Sequence, residues 1–257
     1  MGDGVLAGKT ALVMGVANHH SIGWAIAEAL HGAGARLVLT YQNERMGQRV
    51  LPLAETVKAL TFECDVSEDA QVEGLFGRLE KEVGSLDCVV HSLAFAPREA
   101  LEAPVVDCPR EGFRIALDVS AYSLIAVARG ARPLMKDRGG SIMTLTYLGG
   151  ERVVPGYNIM GVAKATLDAV VRYLAVELAP ENIRVNALSP GPIRTLAASG
   201  VPGFVKMLEN FKAKSPMGRA TEADEVGDAA VFLASDAARG VTGQLLYLDA
   251  GYRLLGS

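Results

Sequence analysis

Residues 10–24 have the sequence TALVMGVANHHSIGW. The opening TALVM is apolar and predicts a short buried strand, and Ile22 begins a segment whose apolar residues have helical spacing. Between them, the turn after Gly15 offers small residues and the backbone N–H groups of a helix start, where a pyrophosphate binds favourably. The turn is not a G-x-G-x-x-G fingerprint, so an ordinary strand-to-helix turn is the alternative. His19 and His20 have no recognisable partners and are interpreted as loop residues.

Outward from this stretch, short apolar runs alternate with longer segments of helical spacing. The runs lie at residues 10–14, 37–41, 60–64, 88–92, 141–146, 183–188 and 245–248. The helical segments include residues 22–30, 72–83, 113–135 and 164–178. Because each parallel crossover needs a connecting element that covers a sheet face, this alternation predicts an α/β fold with a doubly wound, Rossmann-like parallel sheet. No linker interrupts it, so residues 1–257 are predicted to form a single domain.

Composition argues against several classes of protein. With 50% hydrophobic and 21% charged residues, the chain can bury a large core and is not predicted to be disordered. A formal net charge of -4 gives no basic footprint for nucleic acid. Cys64, Cys88 and Cys108 show no disulfide or metal-binding spacing, so no metal site is expected. The start of the chain lacks signal-peptide features and no apolar run reaches the ~18 residues of a membrane span, which favours a cytoplasmic location.

Residues after the second and third strands are candidates for binding the adenosine end of a nucleotide, since such sheets bind ligands at the carboxyl ends of their strands. Gln42 can hydrogen-bond a ribose hydroxyl, and Glu44 would repel a 2'-phosphate, whereas Arg45 and Arg49 would attract one. We therefore favour NADH over NADPH, the alternative being that Gln42 is a solvated loop residue. Asp65 can accept from an adenine amino group or from the N–H groups that begin the next helix.

The fifth strand delivers Tyr147 at its carboxyl end, and Tyr157 and Lys164 follow in the next segment. Tyr157 and Lys164 are two helical turns apart, so both can face one side of a helix that starts near Tyr157. Taken singly, each tyrosine has the alternative of being a packed aromatic with a satisfied hydroxyl, and the lysine that of a solvated helix residue. It is their combination that points to a catalytic site.

Five motifs carry a resemblance to a known family. They are Gly15-Val16-Ala17 with Ser21-Ile22, Thr40-Tyr41-Gln42, His91-Ser92-Leu93-Ala94-Phe95-Ala96-Pro97, Tyr157-x6-Lys164 and the run from Asn186 to Gly200. With them, the chain resembles the short-chain dehydrogenase/reductase superfamily and, much more closely, its branch of bacterial enoyl-acyl carrier protein reductases, nearly end to end. The superfamily at large uses Tyr-x3-Lys, whereas Met160 stands four residues before Lys164 here. The wider Tyr-x6-Lys spacing marks the enoyl reductase branch.

The resemblance implies a set of site residues. Those expected to contact NADH are Gly15, Ser21, Ile22, Gln42, Asp65, Val66, Leu93, Lys164, Ile193, Arg194, Thr195, Leu196 and Ala197. Ala96 is expected at the substrate, and Tyr147 and Tyr157 at the reacting end.

The resemblance also implies an activity and partners. The activity is NADH-dependent reduction of the trans-2 double bond of fatty enoyl thioesters in bacterial type II fatty acid synthesis. The partners are an acyl carrier protein, bound transiently, and further copies of the chain in a homotetramer. The family tends to carry several basic residues just after Gly200 to meet the acidic carrier, whereas residues 201–206 offer one.

Each catalytic residue has an expected role. Tyr157 hydrogen-bonds the thioester oxygen as negative charge develops on it, Lys164 holds the ribose hydroxyls and biases the tyrosine, and Tyr147 lines the acyl side. Residues 195–211 combine small and apolar residues and are predicted to form a mobile substrate lid, with an ordinary amphipathic surface helix as the alternative.

Two rival functions are weighed against this one. A carbonyl or alcohol oxidoreductase of the wider superfamily is disfavoured by the Tyr–Lys spacing. A catalytically silent NAD-binding sensor or scaffold would not need Tyr147, Tyr157 and Lys164 together.

Overall fold

Seven parallel strands form the central sheet of the protein, whose computed structural model describes residues 4–195 and 203–255. The strands are β1 (Thr10–Met14), β2 (Arg36–Tyr41), β3 (Leu60–Glu63), β4 (Cys88–His91), β5 (Gly140–Leu145), β6 (Ile183–Pro190) and β7 (Leu245–Leu248). Each agrees within two residues at either end with a predicted apolar run, because a strand covered on both faces needs a nearly continuous run of apolar side chains.

Helices fill the crossovers between the strands. They are α1 (Ile22–Gly32), α2 (Glu44–Thr56), α3 (Asp69–Glu82), α4 (Arg98–Glu102), α5 (Arg110–Leu117), α6 (Ser123–Met135), α7 (Asn158–Leu178), α8 (Phe204–Lys214) and α9 (Ala223–Ala234). The single helix predicted over 113–135 is wrong in one respect, since a π-helical turn, Asp118–Tyr122, separates α5 from α6. Among the described residues, no helix has the length and apolar character that crossing a membrane requires.

The strand order is β3-β2-β1-β4-β5-β6-β7, and every neighbouring pair is parallel. The chain thus winds outward in both directions from the middle of the sheet, which confirms the doubly wound, Rossmann-like prediction. The order reverses between β1 and β4, where Met14 pairs with His91. The crevice outside the carboxyl ends of these two strands is where sheets of this kind bind their ligands.

Apolar side chains are buried on both faces of the sheet. On one face, α3, α6 and α7 pack through residues that include Phe76, Leu124 and Leu167. On the other face, α1, α2 and α9 pack through residues that include Ile26 and Val226. A third, smaller cluster joins α4 and α5 to the first turns of α7. The covered sheet leaves the strand ends and the loops beyond them as the place for chemistry.

Candidate active site

The turn after β1 brings its backbone close to the exit of β4. Gly15 has a φ of +89°, a conformation that favours glycine. A Cβ atom on Gly15 would lie 1.9 Å from the carbonyl oxygen of Ser92 and 3.2 Å from the side chain of Leu93. Beyond the turn, the Ser21 hydroxyl donates a 2.7 Å hydrogen bond to the backbone, and Ile22 is the first residue of α1. The turn therefore presents the N-terminus of a helix to the crevice.

The ends of β2 and β3 are linked by a polar pair. Gln42 Nε2 donates to Asp65 Oδ2 at 2.8 Å, and Asp65 Oδ1 accepts from both the backbone N–H and the hydroxyl of Ser67. Partial burial by itself raises the pKa of Asp65, but the hydrogen bonds from Ser67 and Gln42 hold it below its ordinary value. Gln42 is thus exposed yet tied to Asp65, and Asp65 also takes the local acceptor role. The next residue, Val66, is buried in the core.

The segment that leaves β4 is held against the π-helical turn. The hydroxyl of Ser120 accepts from the Phe95 N–H at 3.0 Å and donates to the Phe95 carbonyl at 3.1 Å. The next residue, Ala96, is buried in the third cluster together with Met160 of α7. Leu93 is half-buried and packs against the core beneath the sheet. Two hydrogen bonds to the fully buried Ser120 therefore hold Phe95, the residue before the predicted substrate residue Ala96.

A cavity of about 260 Å³ lies between the turn after β1 and the segment after β6. Its lining includes Ser21, Ile193 and Arg194, which are predicted cofactor residues, and Leu208 and Lys212 of α8. The last described residue of the segment after β6 is another predicted cofactor residue, Thr195. The predicted cofactor residues Leu196 and Ala197, and residues 196–202 of the predicted lid, lie outside the described residues.

Two tyrosines meet beyond the end of β5. The rings of Tyr147 and Tyr157 pack edge to face, with centroids 4.9 Å apart. The Tyr147 hydroxyl donates to the sulfur of Met207 in α8 at 3.7 Å, so the described part of the predicted lid contacts this pair. Burial raises the pKa of Tyr147 to about 12 and also raises that of Tyr157. Both hydroxyls are therefore protonated at neutral pH and can donate hydrogen bonds.

The lysine of the pair lies inside the fold. Tyr157 is the N-cap residue of α7, and Lys164 follows two turns later with only 5% of its surface exposed. Lys164 Nζ donates to the carbonyl oxygen of Leu145, the last residue of β5, at 2.7 Å. Burial lowers the pKa of Lys164 to about 8, although the negative charge of Asp168 acts in the opposite direction. The ammonium is thus held at the carboxyl end of β5, the strand that leads to Tyr147.

Sequence reasoning missed a buried polar group at the end of β4. His91 Nδ1 lies 2.9 Å from Thr144 Oγ1, and His91 Nε2 lies 2.8 Å from Ser123 Oγ. The Ser123 hydroxyl also donates to the Val119 carbonyl, and the Thr144 hydroxyl donates to the carbonyl oxygen of His91 itself. Burial, followed by the charge of Lys164, lowers the pKa of His91 to about 3. This neutral histidine ties β4 to β5 and to the start of α6.

Sequence reasoning also missed Asp168, which lies one helical turn after Lys164 and is buried. The signal that could have found it is the spacing of four residues on a predicted helix, which puts a carboxylate next to a candidate lysine.

A second groove in the described part of the chain lies away from the proposed site. A groove of about 570 Å³ between α6 and α7 is larger than the cavity described above. It is lined by the last turns of both helices, which lead into the amino ends of β5 and β6, so it lies at the edge of the sheet opposite the tyrosines. Among residues 4–195 and 203–255, no group of three or more His, Cys, Asp or Glu side chains is arranged to hold a metal ion.

Known proteins share both the sequence and the fold. The model of a family described as enoyl-(acyl carrier protein) reductase matches residues 15–253. FabI of Bacillus cereus, an NADH-dependent enoyl-[acyl-carrier-protein] reductase, is 51% identical over 255 residues, which cover 98% of this chain and 99% of that protein.

Solved structures agree over the whole chain. The Bacillus cereus enzyme in complex with NADP+ and indole naphthyridinone superposes with a TM-score of 0.97, 51% identity and coverage of 99% of this chain and 100% of that chain. The Anaplasma phagocytophilum reductase in complex with NAD gives a TM-score of 0.95, 46% identity and coverage of 100% and 98%. The chain therefore belongs to the enoyl-(acyl carrier protein) reductase family.

Proposed function

We propose that the protein reduces the trans-2 double bond of fatty enoyl thioesters with NADH, as a step of bacterial type II fatty acid synthesis. The observation that carries the proposal is the arrangement of Tyr157 and Lys164 two turns apart on α7, with the ring of Tyr147 against Tyr157. Membership of the enoyl reductase family supports the same conclusion. The three residues lie beyond the carboxyl end of β5, in the part of the sheet where α/β folds bind substrates.

The residues around the crevice fit a dinucleotide. The N-terminus of α1 suits a pyrophosphate, because its backbone N–H groups and dipole favour an anion. Arg194 and Lys212, which line the adjoining cavity, add positive charge. The Gln42–Asp65 pair offers an amide and a carboxylate oxygen to the adenosine end, and the ammonium of Lys164 suits the hydroxyls of a ribose.

The remaining cofactor contacts are proposed on the resemblance. They are Gly15, Ser21, Ile22, Val66, Leu93, Ile193, Thr195, Leu196 and Ala197, with Ala96 at the substrate.

The main role of the protein in this reaction is to stabilise the negative charge that develops on the substrate. When bound, NADH supplies a hydride that adds to the β carbon of the enoyl thioester. The thioester oxygen then becomes enolate-like and needs a hydrogen-bond donor, until a proton added at the α carbon completes the reduction. The Tyr157 hydroxyl is that donor, since burial keeps it protonated and a preorganised donor is most effective where charge develops. Tyr147 lines the acyl side, where its bond to Met207 links it to α8.

In this proposal, Lys164 binds the cofactor and does not itself react. Its ammonium is hydrogen-bonded to the carbonyl oxygen of Leu145 at the end of β5. It is proposed to bind the ribose hydroxyls and to favour the polarised state of the Tyr157 hydroxyl. The proposed lid is residues 195–211, because Met207, in its described part, contacts Tyr147 and Leu208 lines the cavity.

Partners follow from the same chemistry. The substrate arrives on an acyl carrier protein, and the exposed Lys206, Lys212 and Lys214 of α8 offer positive charge to an acidic carrier. We also propose a cytoplasmic location and a homotetramer. For the tetramer, α7 supports self-association because Tyr173 and Val176 leave 72% and 75% of their surface exposed. Light scattering coupled to gel filtration tests the tetramer, and a monomer would contradict it.

The function is tested by following NADH oxidation with a trans-2-enoyl thioester as substrate and a 3-ketoacyl thioester as control. Rapid oxidation with the enoyl substrate alone is the expected result. Turnover with the 3-ketoacyl substrate alone would instead assign the site to carbonyl reduction. NADH binding without turnover on either substrate would indicate a binding protein.

A further inference from the structure

A buried carboxylate lies behind the proposed cofactor lysine. Asp168 has only 4% of its surface exposed and stands one turn after Lys164 on α7, so the two side chains share a helix face. The turn Leu148–Gly150 covers it: a Cβ atom on Gly150 would lie 2.8 Å from Asp168 Oδ2 and 3.0 Å from the backbone of Lys164. The turn that follows Tyr147 is therefore packed directly on this acid.

The polar surroundings of Asp168 are incomplete. Thr146 lies close enough for its hydroxyl to favour the charged carboxylate. Within the described part of the chain, however, neither Thr146 Oγ1 nor Asp168 Oδ1 has a well-aligned hydrogen-bond partner. A buried carboxylate with an unpaired oxygen lowers the stability of the fold. Its presence beside the reacting groups therefore points to a function.

Charged and titratable groups face Asp168 from three directions. They are Lys164 and Arg172 on its own helix, Glu151 and Tyr157 before that helix, and Tyr247 on β7. Lys164 is the only one of these five groups that the proposed function places on the cofactor.

We propose that Asp168 is a positioning residue for NADH, whose carboxylate keeps the Lys164 ammonium charged so that it can bind the ribose hydroxyls. The inference rests on the proposed function of Lys164 and deepens it, because it assigns the control of that charge to one side chain. Asp168 touches neither cofactor nor substrate in this scheme and acts only through the lysine.

The sign of the effect follows from the two titrations. Burial lowers the pKa of Lys164 to about 8, and the charge of Asp168 opposes that effect. Burial also raises the pKa of Asp168, to about 6. Both groups are thus charged between about pH 6 and pH 8. NADH affinity is high below the pKa of Lys164 and falls as the pH rises through it, and without Asp168 the fall begins at lower pH.

The test is the NADH dissociation constant measured by fluorescence between pH 6 and pH 9. Asp168→Asn keeps the shape of the side chain and removes its charge. We expect the midpoint of the fall to move about one pH unit lower, which corresponds to about tenfold weaker binding above the midpoint. Asp168→Glu should restore the wild-type midpoint. In steady-state kinetics, the loss should appear in the KM for NADH more than in kcat.

Two further variants keep the test decisive. Asp168→Leu fills the buried site without a polar group and replaces Asp168→Asn if that variant fails to fold. Glu73→Gln, on the exposed face of α3, removes one negative charge far from the site and should leave the midpoint unchanged. An unchanged midpoint in both neutral variants at position 168 overturns the inference, and so does an equal shift in Glu73→Gln. Failure of the wild type to reduce an enoyl thioester would count against the proposed function alone, since the NADH titrations are read separately.

Discussion

Replacing Tyr157 by phenylalanine removes a single hydroxyl from the proposed site. The ring stays, and with it the edge-to-face contact with Tyr147 at 4.9 Å, an interaction typically worth about 0.5–1.5 kcal/mol. Tyr157→Phe should therefore fold with little loss of stability. Because burial raises the pKa of Tyr157, the wild-type hydroxyl is a full donor at neutral pH, and the variant has none to offer.

The size of the effect follows from the task of that hydroxyl. Losing one donor to a developing oxyanion costs on the order of 100 to 1000-fold in kcat, or about 2.7–4 kcal/mol of barrier. NADH affinity should stay near wild type, because Tyr157 acts on the substrate oxygen. Lys164→Met has the opposite signature: it keeps the length of the side chain, removes the ammonium, and should raise the NADH dissociation constant in the ground state.

The assay is single-turnover reduction of a trans-2-enoyl thioester, with NADH dissociation constants measured in parallel. Thr56→Val is the control, since it removes a hydroxyl from an exposed residue at the end of α2, outside the proposed site and the proposed tetramer contact, and should not change either quantity. If Tyr157→Phe retains the full single-turnover rate while Tyr147→Phe abolishes it, the roles assigned to the two tyrosines must be exchanged.

Three other predictions concern the cofactor and the lid. Gln42→Arg should shift the preference from NADH towards NADPH by supplying a partner for a 2'-phosphate; equal specificity constants for both cofactors in the wild type would refute the interpretation of Gln42. Hydrogen exchange in α8 should slow when NADH and an enoyl analogue bind together, because Met207 contacts Tyr147, and unchanged exchange would favour an ordinary surface helix. Gly15→Ala should unfold at a lower temperature and lose NADH binding. The new Cβ at position 15 would lie 1.9 Å from the Ser92 carbonyl oxygen, in addition to a backbone cost on the order of 1–2 kcal/mol at positive φ. Gly8→Ala is the control, because Gly8 has a similar φ of +77° and a Cβ there would have nothing within 4 Å. Gly8→Ala should lower the stability of the fold but leave NADH binding unchanged.

The order and type of the elements could be predicted because burial leaves a local signal. All seven strands appear as apolar runs, and the helices between them determine a parallel sheet. The break between α5 and α6 could not be predicted, because its apolar spacing continues across it and the π-helical turn is stabilised from elsewhere. Ser120 and Ser123 in that region bond to Phe95 and His91, which are 25 and 32 residues earlier in the chain.

In the candidate site, too, some relations between residues could be predicted from local sequence and others could not. The Tyr157–Lys164 pair could be predicted, since seven residues on one helix fix their relation. The contact of Tyr147 with Met207 spans 60 residues and depends on how α8 packs, which no local pattern records. The hydrogen bond from Gln42 to Asp65 likewise depends on how the ends of β2 and β3 lie side by side in the sheet.

The position of Tyr157 at the N-cap of α7 connects the spacing of the motif with the reaction. In the Tyr-x3-Lys arrangement, the donor would stand at Met160, which here is 6% exposed and packed in the apolar cluster with Ala96. Moving it three residues back displaces it by roughly 4.5 Å along the helix axis, at 1.5 Å per residue. In carbonyl reduction, the oxygen that gains charge is bonded to the carbon that accepts hydride, whereas in a conjugated thioester it lies two carbons farther away. A donor shifted along the helix and away from Lys164 would therefore suit the more distant oxygen, and this agrees with the proposal that Lys164, at the end of β5, binds the cofactor.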